Sequence, residues 1–348
     1  MPGSGGVEAA RGARARGAAQ VSLALVLGGG NALAAYDAGA YEALEQAGHV
    51  PDHLAGASAG AITAVLIAGN PPGQRIAALR AFWDSVATPQ PVWPAPWARA
   101  SQLADGLQAR LFGRPAMFHP RLSALANPDA PPGLYDLAPL RATLARLVDL
   151  GRLNGGDMRV SVNAVDLRTG EDVVFDTARA PITLDHVLAS CALLPNFPPM
   201  AVDGRLLVDG GLAANTPAGL VLDPPRDGLT CFVVDPFPLA AAPPATLIDA
   251  QQRQSDLIFA AQTRRTLHAQ RQLWSLEARL SPQAPPCGTV WRIEYRAGED
   301  ETPIKGFDFG AGVLRRRWAA GAADMRAALA VWDEQGPVAP GLSLLGAV

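Results

Sequence analysis

The chain has 348 residues, 49% hydrophobic and 18% charged, with a formal net charge of −3. That length buries a large core, and the mild acidity excludes nucleic acid as the main partner, which would require a basic face. Cys191, Cys231 and Cys287 are far apart and in no C-x-x-C pair, and the five histidines form no ligand array. This excludes a disulfide framework and gives no sign of a metal centre.

Residues 1–19, rich in Gly, Ala and Arg, read as a disordered tail. Arg11, Arg14 and Arg16 ahead of an apolar run, with Ala32-Leu33-Ala34 behind it, have the outline of a signal peptide. Cleavage there would remove a glycine loop that carries chemistry, and the thiols suit a reducing compartment, so a cytoplasmic protein is expected. No apolar run reaches the roughly 20 residues needed to cross a bilayer.

Residues 21–27 are apolar and end in three glycines, the pattern of a central parallel strand. Gly28-Gly29-Gly30-Asn31 then leads into good helix formers over 32–47. Strand, glycine loop and helix make an anion-binding arrangement, because bare backbone N–H groups converge at a helix start. Three readings compete for it. As a dinucleotide fingerprint it is broken, since Leu33 falls where the third glycine belongs. As an oxyanion hole, its amides would stabilise the alkoxide formed when an acyl carbon is attacked. A glycine turn that merely lets helix pack on strand is the plainer alternative.

A second strand-to-helix turn follows at Gly56-Ala57-Ser58-Ala59-Gly60, opening an apolar run over 61–69. G-x-S-x-G in that setting marks a nucleophile elbow, which exposes a serine hydroxyl at the tip of a sheet. Parallel neighbours deliver their C-terminal ends to one edge, where Ser58 and the glycine loop would meet. A helix is expected over 74–86. Residues 88–97 hold four prolines with Trp93 and Trp97, and read either as a lid or as a rigid surface loop. Phe112, Met117 and Phe118 lie in a similar irregular stretch.

Further on, a helix is expected over 139–150 and a hairpin over 159–175. Thr183 is set to cap a short helix. Residues 192–199, with Pro195 and Phe197, look like an apolar pocket wall. A tight hairpin on Asp203-Gly204 delivers Asp209-Gly210-Gly211 to a strand end. There Asp209 is placed like a site residue or, more plainly, like an Asx-turn cap. A strand over 229–234, a long helix over 246–280 with arginines on a solvated face, a last strand over 289–295 and a helix over 311–334 complete the chain. Arg315-Arg316-Arg317 is expected to face water. No repeat or linker divides the chain, so one domain is expected.

A serine needs a neighbour to take its proton. Either a triad recruits His268, the only histidine after Asp209, from mid-helix, or Asp209 accepts the proton directly in a Ser–Asp dyad with its pKa raised by desolvation. At this point four motifs in order resemble a bacterial member of the patatin-like phospholipase family. They are the glycine loop with Ala35-Tyr36-Asp37-Ala38-Gly39, the elbow Gly56–Gly60, Ala189-Ser190-Cys191-Ala192 running to Pro199, and Asp209-Gly210-Gly211 with Asn215-Thr216-Pro217.

The resemblance implies a three-layer α/β sandwich with a mainly parallel sheet and helices on both faces. It implies a catalytic core over 20–235 and a helical C-terminal extension over 236–348 packed on it. It makes Ser58 the nucleophile, Asp209 its partner, and the amides of Gly29, Gly30 and Asn31 the oxyanion hole, with Leu33, Pro195 and Phe197 against the substrate. No cofactor is implied. The family's glycine loop usually ends in a basic residue and a glycine, where this chain has Leu33 and Ala34. The missing cation leaves neutral or lysolipid esters at least as well suited as diacyl phospholipids. A lipid or other acyl ester is the expected partner, with contact at a membrane surface following from that substrate class alone; oligomeric state is left open. The rival from another class is a lipid- or acyl-binding protein without turnover.

Overall fold

The computed structural model describes residues 22–89, 95–121, 130–296, 301–334 and 339–346, apart from the side chains of 95–99. The tail over 1–19 and most of the segment read as a lid or surface loop, Trp93 and the Trp97 side chain included, lie outside the described residues.

The apolar run predicted first becomes β1 (Ser22–Leu27), buried from Leu23 onward and central in a nine-stranded sheet. β2 (His53–Gly56) lies on one side and β9 (Leu229–Asp235) on the other, both parallel to it. Beyond β2 comes β5 (Arg159–Asp166), still parallel. It carries β6 (Asp172–Asp176) and β8 (Arg205–Asp209) as antiparallel neighbours, and β7 (Met200–Val202) pairs β8. A small separate ribbon joins β3 (His119–Pro120) to β4 (Tyr135–Asp136).

Beyond β9 the expectation needs correcting. The segment over 236–348, read as a helical extension, also supplies β10 (Cys287–Glu294) and β11 (Gly341–Leu345), which continue the parallel sheet at its far side. β10 is therefore not the last strand. The short β11 was hidden because Gly341-Leu342-Ser343-Leu344-Leu345 is too brief to show a period.

Alternation along the strands builds three layers. Leu23, Leu25 and Leu27 of β1 join Leu54, Phe232, Val234 and Ile293 on one face. Ala24 and Val26 join Ala55, Cys231, Val233 and Val290 on the other. The first face is covered by α1 (Ala35–Gln46), α2 (Ala59–Ala68), α3 (Arg75–Val86) and α11 (Ala311–Asp333). The second is covered by α9 (Gly219–Leu222) and α10 (Leu247–Leu280), whose Leu267 and Trp274 seal it. Each large side chain so buried contributes roughly 1.5–3 kcal/mol. The fold is the α/β sandwich expected, with a mainly parallel sheet between helical layers.

Helix ends follow local chemistry. Thr246 and Asp249 form a capping box that starts α10, and Thr183 caps α7 (Leu184–Ser190) through its hydroxyl. The single helix expected over 139–150 is two, α5 (Ala138–Leu147) and α6 (Leu150–Gly155). Val148 is extended, and Asp149 accepts from the N–H groups of Gly151 and Arg152, so the carboxylate starts a new helix where the old one stops. The remaining helices are α4 (Ala95–Phe112) and α8 (Gly211–Ala214).

α1 and α11 cross at unusually short range. A Cβ on Gly39 would lie 1.9 Å from the Trp318 carbonyl oxygen, and one on Gly321 would lie 2.0 Å from that of Tyr36. The two helices meet backbone to backbone through reciprocal glycines. Beside the crossing, the Tyr36 hydroxyl donates to Asp324 at 2.6 Å, and its ring packs 5.1 Å from that of Tyr295.

Candidate active site

Parallel pairing brings the two glycine-bearing turns together. Leu27 pairs Gly56 at the ends of β1 and β2, so the loop at 28–31 and the elbow at 57–60 leave the sheet side by side. The elbow is tight on every side. A Cβ on Gly60 would lie 2.2 Å from the Leu27 carbonyl oxygen, and one on Gly56 would lie 2.5 Å from the Gly60 backbone. Between them Ser58 takes φ 53°, a left-handed conformation that side chains rarely adopt and that the closure of strand onto helix enforces. Its N–H donates to Ser190 Oγ at 2.9 Å, and its side chain caps nothing, which leaves the hydroxyl for the cavity.

Asp209 arrives from the other side. It ends β8 opposite Ala164 of β5, close to the level where Val162 of β5 pairs Gly56. Its N–H donates to the Ala192 carbonyl, and its Oδ1 accepts from the Gly211 N–H at 2.7 Å. Oδ2 is buried and, among the described residues, meets no partner at hydrogen-bond distance. Burial pushes the carboxyl pKa up; the nearby Ser58 hydroxyl and the Gly211 amide pull it back, leaving it at about 7. A desolvated carboxyl with such a pKa can accept a proton near neutral pH.

The glycine loop divides its donors. The Gly29 N–H goes to the Asn215 carbonyl at 3.0 Å, and Asn215 Nδ2 returns a bond to the Gly29 carbonyl at 3.0 Å. Gly29, expected among the oxyanion donors, is therefore already committed. Its role is spatial: a Cβ there would lie 2.9 Å from the Ser58 Cβ. Gly30 and Asn31 face the cavity, and among the described residues neither N–H donates a hydrogen bond. Asn31 holds φ 55°, which asparagine tolerates better than most residues.

These groups share the wall of one cavity of about 240 Å³, lined by Gly30, Asn31, Leu33, Ser58, Asp209 and Asn215 with an apolar surround. Leu33 and Phe197 line it. Pro195 does not. Its carbonyl accepts from Leu134 N at 3.3 Å, and the chain turn it makes presents Leu193 and Asn196 to the cavity instead. Phe197 packs edge-on against Phe118, 5.8 Å between ring centres, so the irregular stretch around Phe118 backs the wall.

Much of the remaining wall was invisible in the sequence. Phe237, Gln252, Ser255 and Phe259, with Ile304 and Phe307, come from the C-terminal third, and Arg110 comes from α4. Arg110 lies 4.9 Å over the Phe307 ring. No periodicity announces such residues; only the quoted Asn215-Thr216-Pro217 pointed towards one of the site's supports. No histidine lines the cavity, and His268 is exposed on α10. Among the described residues no cluster of His, Cys, Asp and Glu is arranged to hold a metal ion.

A profile of patatin-like phospholipases matches residues 25–222, and one described as patatin phospholipase matches 251–340. No curated protein matches. Among solved structures, VipD from Legionella pneumophila is 16% identical, covering 90% of this chain and 67% of its own, with a TM-score of 0.44. The type III effector ExoU is 14% identical over 90% of this chain and 54% of its own, with a TM-score of 0.35. ExoU from Pseudomonas aeruginosa in complex with SpcU is 18% identical over 75% and 53%, with a TM-score of 0.28. The chain thus spans little more than half the length of ExoU. With most of its residues inside the first profile, and the glycine loop, elbow and Asp209 strand end all within it, the chain belongs to the patatin-like phospholipase family.

Proposed function

We propose that the protein is a serine hydrolase of lipid acyl esters, with Ser58 as nucleophile, Asp209 as sole general base, and the amides of Gly30 and Asn31 as oxyanion donors. The observation that carries this is the convergence of all four residues on one apolar cavity, with Asp209 held near neutrality and no histidine in reach. Ser58 Oγ attacks the ester carbonyl carbon while Asp209 Oδ2 takes its proton. The two amides hold the tetrahedral oxyanion. Collapse expels the alcohol, which recovers the proton from Asp209 and leaves an acyl-serine. Water, deprotonated by the same carboxylate, then attacks the acyl carbon and releases the fatty acid.

The cavity suits one acyl chain. An apolar void of about 150 Å³ already holds benzene, so about 240 Å³ has room for an alkyl chain of modest length. A monoacyl lipid is the substrate this favours, met at a membrane or micelle surface. Arg110, at the wall on Phe307, is the positive charge placed to meet an anionic headgroup, where the glycine loop offers only Leu33. Arg110→Ala is accordingly expected to lower kcat/KM for a lysophospholipid about tenfold, the order of one charge-assisted contact, and to leave a neutral p-nitrophenyl ester within about twofold. Equal losses on both substrates would remove Arg110 from headgroup recognition.

A fluorophosphonate probe tests the reading directly. Labelling is expected in the wild type, absent in Ser58→Ala, strongly slowed in Asp209→Asn and unchanged in His268→Ala. Fatty-acid binding without any labelling would make the protein a binder that does not turn over.

A further inference from the structure

We infer that Arg317 is a positioning residue, holding the glycine loop at the angle that presents Gly30 and Asn31 to the cavity and so tying the C-terminal helix to chemistry at Ser58. Its catalytic consequence rests on the hydrolase reading above; its mechanical one stands on geometry alone.

Three consecutive arginines lie in the second turn of α11, and their fates differ. Arg315 and Arg316 are exposed, while Arg317, expected to face water, is fully buried. Its Nη1 donates to the Ala32 carbonyl at 3.0 Å and to the Asp308 carbonyl at 3.1 Å. Nε and Nη2 make a fork to the two oxygens of Glu301 at 2.9 and 2.8 Å, and Glu301 also accepts from the Tyr295 hydroxyl. Burial opposes the charge on Arg317, but Glu301 outweighs it and the guanidinium pKa is raised. A buried guanidinium with each nitrogen engaged is a fixed strut.

The strut ends where support is needed. Ala32 is the second residue of a four-residue 3-10 turn (Asn31–Ala34) that starts on the left-handed Asn31. A single turn cannot fix its own orientation, since it closes few hydrogen bonds for the dihedrals it orders. The latch from Asn215 holds the loop at Gly29, on the near side of the two donors; Arg317 holds it at Ala32, on the far side. Gly30 and Asn31 lie between the two clamps.

Arg317→Lys separates positioning from folding. Lysine keeps a cation opposite Glu301, but one ammonium cannot span both that carboxylate and the Ala32 carbonyl as the fork does. On a p-nitrophenyl ester, kcat is expected to fall about 10–100-fold, short of the 10²–10³ seen when an oxyanion donor is deleted outright, with KM within about twofold. Amide exchange over residues 30–34 should rise at least about tenfold, with β1 and β2 unchanged. Unchanged exchange there, or a loss confined to KM, overturns the assignment. Should the wild type show neither turnover nor probe labelling, the hydrolase reading fails while the exchange result still decides the strut. If the lysine variant does not fold, the wild type answers instead: residues 32–34 and 313–325 must open with the same denaturant dependence, and independent opening of the loop refutes the coupling.

Discussion

Asp209→Asn is expected to lower kcat on a short-chain p-nitrophenyl ester by about 10²–10⁴-fold, the range a positioned general base supplies. The wild type should show a kcat/KM that rises tenfold per pH unit and levels off near pH 7, because only the carboxylate form accepts the Ser58 proton and burial has raised its pKa to about 7. The same shift acts on stability. Between the ordinary carboxyl value of 3.8 and about 7 the folded state binds the proton that the unfolded state has released, so this residue's contribution falls as pH rises through that window. Asp209→Asn should therefore melt higher than the wild type at pH 8, with the gain fading as pH approaches 4. A variant retaining a tenth or more of wild-type kcat, or a pH profile whose inflection vanishes in His268→Ala, would count against the dyad.

Gly39→Ala should destabilise the protein by about 3 kcal/mol or more, although helix propensity alone favours alanine over glycine by about 1 kcal/mol. The added methyl would sit 1.9 Å from the Trp318 carbonyl oxygen, which belongs to a helix backbone and cannot swing aside as a side chain could. Relief requires α1 and α11 to part, and Gly321 repeats the constraint from the other helix at 2.0 Å from Tyr36. Denaturant midpoints check this, and an unchanged or higher midpoint would show the crossing to be looser than described. Because Arg317 rides on α11 one residue before Trp318, probe labelling should be lost at lower denaturant than in the wild type.

The residues on which the proposed chemistry rests were legible because they are bound to local backbone demands. Gly56 and Gly60 are needed wherever strand closes on helix around a strained serine, and Asp209 follows a two-residue turn whose Asp203 and Gly204 both take positive φ. Such requirements are written within a few residues. The supports were not legible, since they join distant segments. Arg317 looked like one of three solvated charges until the fold placed Glu301 and the Ala32 carbonyl around it. The Gly29 amide looked available until Asn215 claimed it. Pro195 and its neighbours were assigned to the cavity wall as a group, and only the turn decides that Leu193, Asn196 and Phe197 face inward while the proline does not.

The bond from Arg317 to Ala32 joins residues 285 apart, so it forms late in synthesis. A nascent chain that has emerged as far as β9 already holds Ser58, Asp209 and most of the sheet, yet lacks α11, whose Arg317 bonds the Ala32 carbonyl. Ribosome-stalled chains that have exposed no residue beyond 300 are expected to stay unlabelled by the fluorophosphonate, and those that have exposed residue 334, with a linker filling the exit tunnel, to label. Under the proposed function, hydrolysis would begin only after the last long helix has emerged.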